Sequence, residues 1–120
     1  SAVLQNPGSA LVKLDLRGCS INDGTMIALA NSLVNNNKLK ELLLDQNYAI
    51  TINGRTAISR VLCNTSSIMG TFRSNHTLQK LQEDYGLPAD LKSLLRLNRE
   101  NSRRQAARLK IIKNHSTGSN

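Results

Sequence analysis

The sequence predicts an α/β solenoid, with a short parallel sheet on its concave face, helices on its convex face and a helical C-terminal cap. Three observations predict it: an apolar template recurs every 28 residues, each of the first two copies is followed by a helix-like apolar pattern, and the template is lost after residue 81. A fixed period in this range is typical of stacked strand–helix units. At 120 residues the chain can form one domain with a small core.

The template has the form L-x-x-L-x-L-x-x-(N or C). Its copies start at Leu11, Leu39 and Ser67. The last two leucines are two positions apart, which puts both side chains on one face of an extended chain. We therefore expect strands near residues 12–16, 40–44 and 68–72. In the third copy Ser67 and Gly70 replace leucines, which indicates a thin core and the end of the array.

Helices are expected after the first two strands. Apolar residues at helical spacing run from Ile27 to Leu33 and from Ala57 to Leu62, and Asp23 is the predicted N-cap of the first helix. A strand, a crossover helix and a second parallel strand form a right-handed unit almost always. The units should therefore stack with a parallel sheet inside and helices outside.

The repeat resembles the ribonuclease-inhibitor-like leucine-rich-repeat family. The residues that carry the resemblance are Leu11, Leu14, Leu16, Cys19, Ile21, Leu39, Leu42, Leu44, Asn47 and Ile50. Residues 98–113 are similar to the C-terminal end of leucine-rich-repeat proteins of single-celled algae. The resemblance implies a solenoid that binds partners.

The expected organisation has three parts. Residues 1–81 form leucine-rich repeats (a partial first, two full and one degraded), residues 82–114 form a helical C-terminal cap with a basic stripe, and residues 115–120 form a disordered tail. The first strand has nothing before Leu11 to cover its edge, and an uncovered edge promotes association. We therefore expect further repeats upstream of Ser1.

The concave face is the first candidate site, and it predicts a protein–protein interaction scaffold. The residues between the template leucines point away from the core and should form three rows across the strands. The predicted partner-binding residues are Lys13, Asp15, Arg17, Glu41, Leu43, Asp45, Met69, Thr71 and Arg73. Leu43 and Met69 would be exposed apolar residues among charges, which is the composition of a contact patch. The alternative interpretation is a solvated sheet face.

The basic C-terminal segment is the second candidate site. The chain has 16 Lys and Arg against 8 Asp and Glu, a net charge of +8, and most of the excess lies between Lys92 and Lys113. The residues of this alternative anion-binding site are Arg96, Arg99, Arg103, Arg104, Arg108, Lys110 and Lys113. Such a stripe could hold nucleic acid or an anionic surface with salt-sensitive affinity. A solvated face of a structural cap that has no partner is the competing interpretation.

Chemistry has little support in the sequence, which predicts a protein that is not an enzyme. His76 and His115 have no nucleophile or carboxylate at a recognised spacing, and we expect no metal and no cofactor. Cys19 and Cys63 are expected to be free thiols, and Cys19, at the Asn-or-Cys position of the template, is expected to be buried. An asparagine at this position is expected to turn inward and bond backbone groups. For Asn75 of the Asn75-His76-Thr77 sequon this argues against glycosylation. These features predict an intracellular protein, cytoplasmic or nuclear, without a transmembrane segment. The sequence leaves the partner and the oligomeric state open.

Overall fold

A computed structural model describes residues 10–84 and 86–115 of the chain. Three short strands form one parallel sheet in the order β1-β2-β3. The strands are β1 (Lys13–Asp15), β2 (Glu41–Leu43) and β3 (Lys80–Gln82). The helices of the described part are α1 (Asp23–Leu33), α2 (Ile52–Leu62), α3 (Ile68–Phe72), α4 (Ala89–Glu100) and α5 (Arg103–His115).

The predicted solenoid is wrong. Lys13 of β1 pairs with Glu41 of β2, 28 residues later, but Glu41 pairs with Lys80 of β3, 39 residues later. The spacing therefore does not repeat, and the last two helices of the described part follow β3 with no further strand after it. This part of the chain forms a small α/β fold of three parallel strands and five helices.

The segment expected to be the third strand is the short helix α3. Ser67 caps it, because its hydroxyl accepts a hydrogen bond of 2.9 Å from the backbone N–H of Gly70. A hydroxyl at an N-cap satisfies a backbone donor that the helix leaves unpaired. The third strand comes later, where Leu78 and Leu81 are buried.

The core lies between the sheet and the helices. Leu39, Leu42 and Leu44 around β2 are almost completely buried, and so are Leu33 of α1 and Ile58 of α2. The equivalent leucines around β1 are only half-buried and pack against this cluster. The core is therefore best filled around β2, in the middle of the sheet.

Helix α4 covers the β3 side of this core. Leu91 and Leu95 of α4 are buried in the same cluster as the β2 leucines. The side-chain amide of Asn98, also on α4, donates to the backbone oxygens of Asn75 and Leu78, at 3.2 and 2.8 Å. Buried backbone acceptors at the start of β3 are thereby satisfied.

Asn47 behaves as the template predicts. Its buried side-chain oxygen accepts from the backbone N–H groups of Cys19 and Ile21, and its amide nitrogen donates to the backbone oxygens of Leu16 and Leu44. One side chain therefore joins the loops that leave β1 and β2.

Two predictions need correction: the burial of Cys19 and the placement of His115 in a disordered tail. Cys19 was expected to be buried, but it is exposed; both cysteines are free. His115, placed in the predicted tail, ends α5, and its Nε2 lies 2.7 Å from the Thr71 hydroxyl. The remainder of the predicted tail, and the residues that precede Ala10, lie outside the described part of the chain.

Candidate partner-binding surface

Two asparagines hold the loops at the amino end of the strands. The side-chain oxygen of Asn36 accepts from the N–H groups of Lys38 and Leu39, and that of Asn75 accepts from the N–H groups of Thr77 and Leu78. The Asn75 amide also donates to Leu33 O and Asn36 O, at 2.8 and 3.0 Å. The loops before β2 and β3 are thereby joined, and the inward orientation predicted for Asn75 is confirmed.

Lys110 lies beneath the second of these loops. Its side chain is completely buried, and its ammonium donates to Leu62 O at 2.7 Å, Asn75 O at 3.2 Å and His76 Nδ1 at 3.0 Å. His76 Nε2 lies 2.9 Å from Phe72 O, which can only accept, so Nε2 carries the proton and Nδ1 accepts from Lys110. The predicted anion-binding role of Lys110 is therefore wrong.

Burial governs the protonation of this pair. Burial lowers the pKa of Lys110 to about 8, and burial together with the Lys110 charge lowers the pKa of His76 below its ordinary value. Both shifts follow from the cost of a charge in a poorly solvated site. Lys110 therefore holds α5 against the end of α2 and the loop that follows α3. Sequence reasoning missed this role because a lysine in a charged run is expected on the surface.

An open groove, which we call the amino-end groove, runs between these loops and the start of α5. Its volume is about 520 Å³. Val34 and Phe72 line it and are 46% and 58% exposed, respectively. Arg103 and Arg104 of α5 form its basic side. An apolar floor beside two guanidinium groups suits a ligand that carries both apolar and anionic groups.

A second groove, which we call the helix-side groove, adjoins the first and lies between α1, α2 and α3. Its volume is about 1040 Å³, and it shares Val34 with the amino-end groove. Ile27 and Met69 line it and are 45% and 53% exposed. Arg60 and Arg73 also line it. Both grooves thus combine exposed apolar side chains with arginine.

The predicted concave patch is not assembled as one surface. Met69, Thr71 and Arg73 were expected on the third strand, but they lie on or next to α3. Thr71 is completely buried, and its hydroxyl bonds Asn64 O at 2.7 Å. Their places in the sheet are taken by residues of β3, with Lys80 beside Glu41.

The remaining predicted residues do lie along β1 and β2. Lys13, Asp15 and Arg17 are exposed, whereas Leu43, predicted to be exposed, is only 4% exposed. Arg17, which follows β1, pairs with Asp15 at the end of that strand, with Nη2 2.7 Å from Oδ2. Its hydrogen bond lowers the pKa of Asp15 to about 2. Glu41 and Asp45 are half-buried.

The cationic residues of α4 and α5, other than Lys110, are exposed. They are Lys92, Arg96, Arg99, Arg103, Arg104, Arg108 and Lys113. The two helices are separated at Asn101, whose backbone is extended, so these residues do not lie along one continuous helix. Arg96 and Lys113 face a separate groove between α4 and α5, of about 390 Å³.

Sequence reasoning missed Ile27, Val34, Arg60 and Phe72 as surface candidates. One usable signal was present: Asn36-x-x-Leu39-x-x-Leu42 recurs as Asn75-x-x-Leu78-x-x-Leu81. That spacing places the third strand after Asn75, as β2 follows Asn36.

Across residues 10–84 and 86–115, no three His, Cys, Asp or Glu side chains are grouped so that they could hold a metal ion. In the same part of the chain, every helix is too short or too polar to cross a membrane. No family model, no curated protein and no solved structure matches this chain. The resemblance to ribonuclease-inhibitor-like proteins stays a prediction.

Proposed function

We propose that this protein is a binding module, not an enzyme, and that it binds a segment of a partner protein through the amino-end and helix-side grooves. The observation that carries the proposal is the convergence of four exposed apolar side chains, Ile27, Val34, Met69 and Phe72, on two adjoining grooves. Apolar side chains that share a concave surface mark interaction sites more often than scattered ones do.

The proposal keeps the partner class that the sequence predicts and moves the site. Met69 and Arg73 belong to the predicted partner-binding residues and line the helix-side groove. Leu43, which was to anchor a partner on the sheet, is buried. The helix side therefore offers more exposed apolar surface than the sheet side does. An intracellular location, cytoplasmic or nuclear, remains part of the proposal.

Selection from a displayed library of random peptides tests the function. The expected result is enrichment of peptides that bind the wild-type protein, with binding lost in the double variant Val34→Asp and Met69→Asp. Ile112→Asp is the matched control, because Ile112 is 49% exposed and faces the α4–α5 groove instead. Equal loss in both variants, or no loss in either, would contradict the assignment of the grooves.

A second candidate function is nucleic-acid binding by the cationic face of α4 and α5. It is favoured by the seven exposed Lys and Arg residues there, which form no ion pair with a carboxylate of the described residues. Phosphate binding weakens steeply between about 50 and about 200 mM salt. Fluorescence anisotropy of labelled RNA and DNA should then show salt-sensitive binding that Arg96→Glu with Lys113→Glu reduces. Salt-insensitive binding, or none at low salt, would exclude this candidate.

A further inference from the structure

Most of the acidic residues of this protein lie at the carboxyl end of its parallel strands, where Arg17 and Arg55 pair with two of them. Five of its eight acidic residues follow the strands or begin α1, at the carboxyl end of the sheet. They are Asp15, Asp23, Asp45, Glu83 and Asp84. The two grooves lie on the helix side and toward the amino end, where the loops before β2 and β3 line the smaller of them. A ligand at the grooves therefore meets a different electrostatic environment from one at the carboxyl end.

The charged side chains that line the two grooves are positive. Arg60 and Arg73 line the helix-side groove, Arg103 and Arg104 line the amino-end groove, and none of the described lining residues is Asp or Glu. The ion pairs found among the described residues involve other cations, so these four guanidinium groups face no carboxylate partner there. Guanidinium groups bind carboxylates in a two-pronged geometry, which makes arginine well suited to select acidic groups.

Exposed apolar side chains line both grooves. Val34 lines both, Phe72 lines the amino-end groove and Met69 lines the helix-side groove. Each groove therefore combines arginines with exposed apolar side chains, and Val34 belongs to both. The complementary ligand has an apolar anchor with acidic residues on either side of it.

We propose that the grooves select an acidic protein segment that carries an apolar or aromatic anchor. This inference rests on the proposed function and names its partner class. Arg60, Arg73, Arg103 and Arg104 are the specificity-determining residues, and Val34, Met69 and Phe72 receive the anchor. The anion is the carboxylate of Asp or Glu.

The groove composition favours a peptide over a nucleic acid. Single-stranded nucleic acids are held by several aromatic side chains on which successive bases stack. Among the described residues that line the two grooves, Phe72 is the only Phe, Tyr or Trp, and His76 is the only other residue with an aromatic ring. The aliphatic and thioether side chains of Val34 and Met69 suit an apolar peptide side chain better than a row of bases.

The library selection also tests this inference, and it does so separately from the proposed binding function. The measured quantity is the net charge of the peptides that are enriched on the wild-type protein. Enriched peptides should be acidic and should share an apolar or aromatic position. If the enriched peptides are neutral or basic, the partner class is wrong while the binding function stands. If no peptide is enriched over the Val34→Asp and Met69→Asp variant, the proposed function fails and this inference fails with it.

A synthetic acidic peptide taken from the enriched set then tests the arginines. Arg103→Glu with Arg104→Glu should weaken its binding by about tenfold or more, because reversal replaces attraction with repulsion. Arg96→Glu with Lys113→Glu makes the same change of charge outside both grooves and should have little effect. Equal weakening by the two variants would mean that net charge alone attracts the peptide, which overturns the inference.

A labelled thymidine oligonucleotide completes the test. It should neither displace the acidic peptide nor lose affinity specifically in the Arg103→Glu and Arg104→Glu variant. Displacement together with a specific loss would assign the grooves to nucleic acid and overturn the inference. Far-UV circular dichroism and urea denaturation of every variant establish that the folded state is retained before affinities are compared.

Discussion

At the scale of single residues, Lys110 is the least expected feature of this protein. Its ammonium is enclosed between α2, the loop after α3 and its own helix, and it donates to two backbone oxygens and one imidazole nitrogen. A buried ammonium with all of its donors satisfied is tolerated, although desolvation makes the charged form costly. Lys110 is therefore a structural residue in a segment whose other cations are exposed.

The first residue-scale prediction concerns pH. Burial lowers the pKa of Lys110 to about 8 in the folded protein, against 10.5 in the unfolded chain. At a pH between these two pKa values, the unfolded chain holds a proton on Lys110 that the folded protein has released. The free energy of unfolding therefore increases as the pH rises. Relative to Lys110→Met, the wild-type protein should gain about 3 kcal/mol across that window. Urea denaturation at a series of pH values measures the difference.

The control for this prediction lies on the same helix. Lys113→Met removes a positive charge from an exposed position but leaves the buried ammonium in place. Relative to Lys113→Met, the wild-type protein should therefore show no comparable gain between pH 8 and 10.5. A gain of the same size against both variants would show that net charge, not burial of Lys110, causes the effect.

Residue roles were predictable where the repeated template fixed them. The asparagine position of the template gave the correct role for Asn47. Its side chain bonds backbone groups of its own turn and of the preceding copy of the template, so the repeat itself indicated both partners. Lys110 could not be recognised in this way. Its acceptors are Leu62 O and Asn75 O, 48 and 35 residues away in the chain, and the sequence contains no local signal of that arrangement.

At the scale of elements, the contact between α1 and α2 depends on Gly54. A Cβ at this position would lie 2.7 Å from Asp23 Oδ1 and 3.1 Å from Met26 Cβ. Asp23 Oδ1 also accepts hydrogen bonds from the backbone N–H groups of Thr51 and Gly54, at 2.7 and 3.2 Å. The start of α2 is therefore held against α1 at a distance that leaves no room for a side chain.

The element-scale prediction is that Gly54→Ala destabilises the protein by about 1–3 kcal/mol, the range typical of overpacking. Alanine in a helix interior is ordinarily about 1 kcal/mol better than glycine, so the expected sign is opposite to the propensity. Thermal or urea denaturation measures it. Gly24→Ala on α1 is the control: its Cβ would be 3.4 Å from Asn22 Oδ1, an ordinary contact, and it should be neutral or stabilising. A stabilised Gly54→Ala would refute the close contact.

The elements up to α2 were predictable, and so was the helical character of residues 82–114, where α4 and α5 lie. Both strands of the intact template form, and helices follow them at the expected places. The third strand was placed wrongly because the 28-residue period was carried on to a third, degraded copy of the template that starts at Ser67. Serine and glycine at leucine positions remove the apolar face that a buried strand needs, while Ser67 supplies a helix cap. The local chemistry therefore overrode the period.

At the scale of the whole molecule, the same error misplaced the candidate site. Rows of residues across three evenly spaced strands require a constant period, and the step from β2 to β3 is longer than that from β1 to β2. The exposed apolar residues instead come together because α1 packs against α2 and α3 packs against α5. Contacts between helices distant in sequence depend on the tertiary arrangement, which composition and periodicity alone do not determine.

The whole-molecule prediction concerns salt. The protein has a net charge of +8, and most of the exposed cations of α4 and α5 have no carboxylate partner in the described part of the chain. We therefore expect repulsion between like charges to outweigh the attraction of the few surface ion pairs. Screening lengths fall from about 30 Å at 0.01 M to about 10 Å at 0.1 M ionic strength. The urea midpoint should therefore rise as sodium chloride is added over this range.

Arg96→Glu with Lys113→Glu provides the matched comparison for the salt prediction. Each substitution changes the charge by two units, so the net charge falls from +8 to +4. Because repulsion between like charges is thereby reduced, the variant should be at least as stable as the wild-type protein at low salt, and its midpoint should rise less on addition of salt. A midpoint that falls with salt in the wild-type protein would mean that attractive pairs dominate. In that case the positive potential around the unpaired arginines of the grooves would be smaller than the charge distribution indicates. The preference of the grooves for acidic segments would then be weaker.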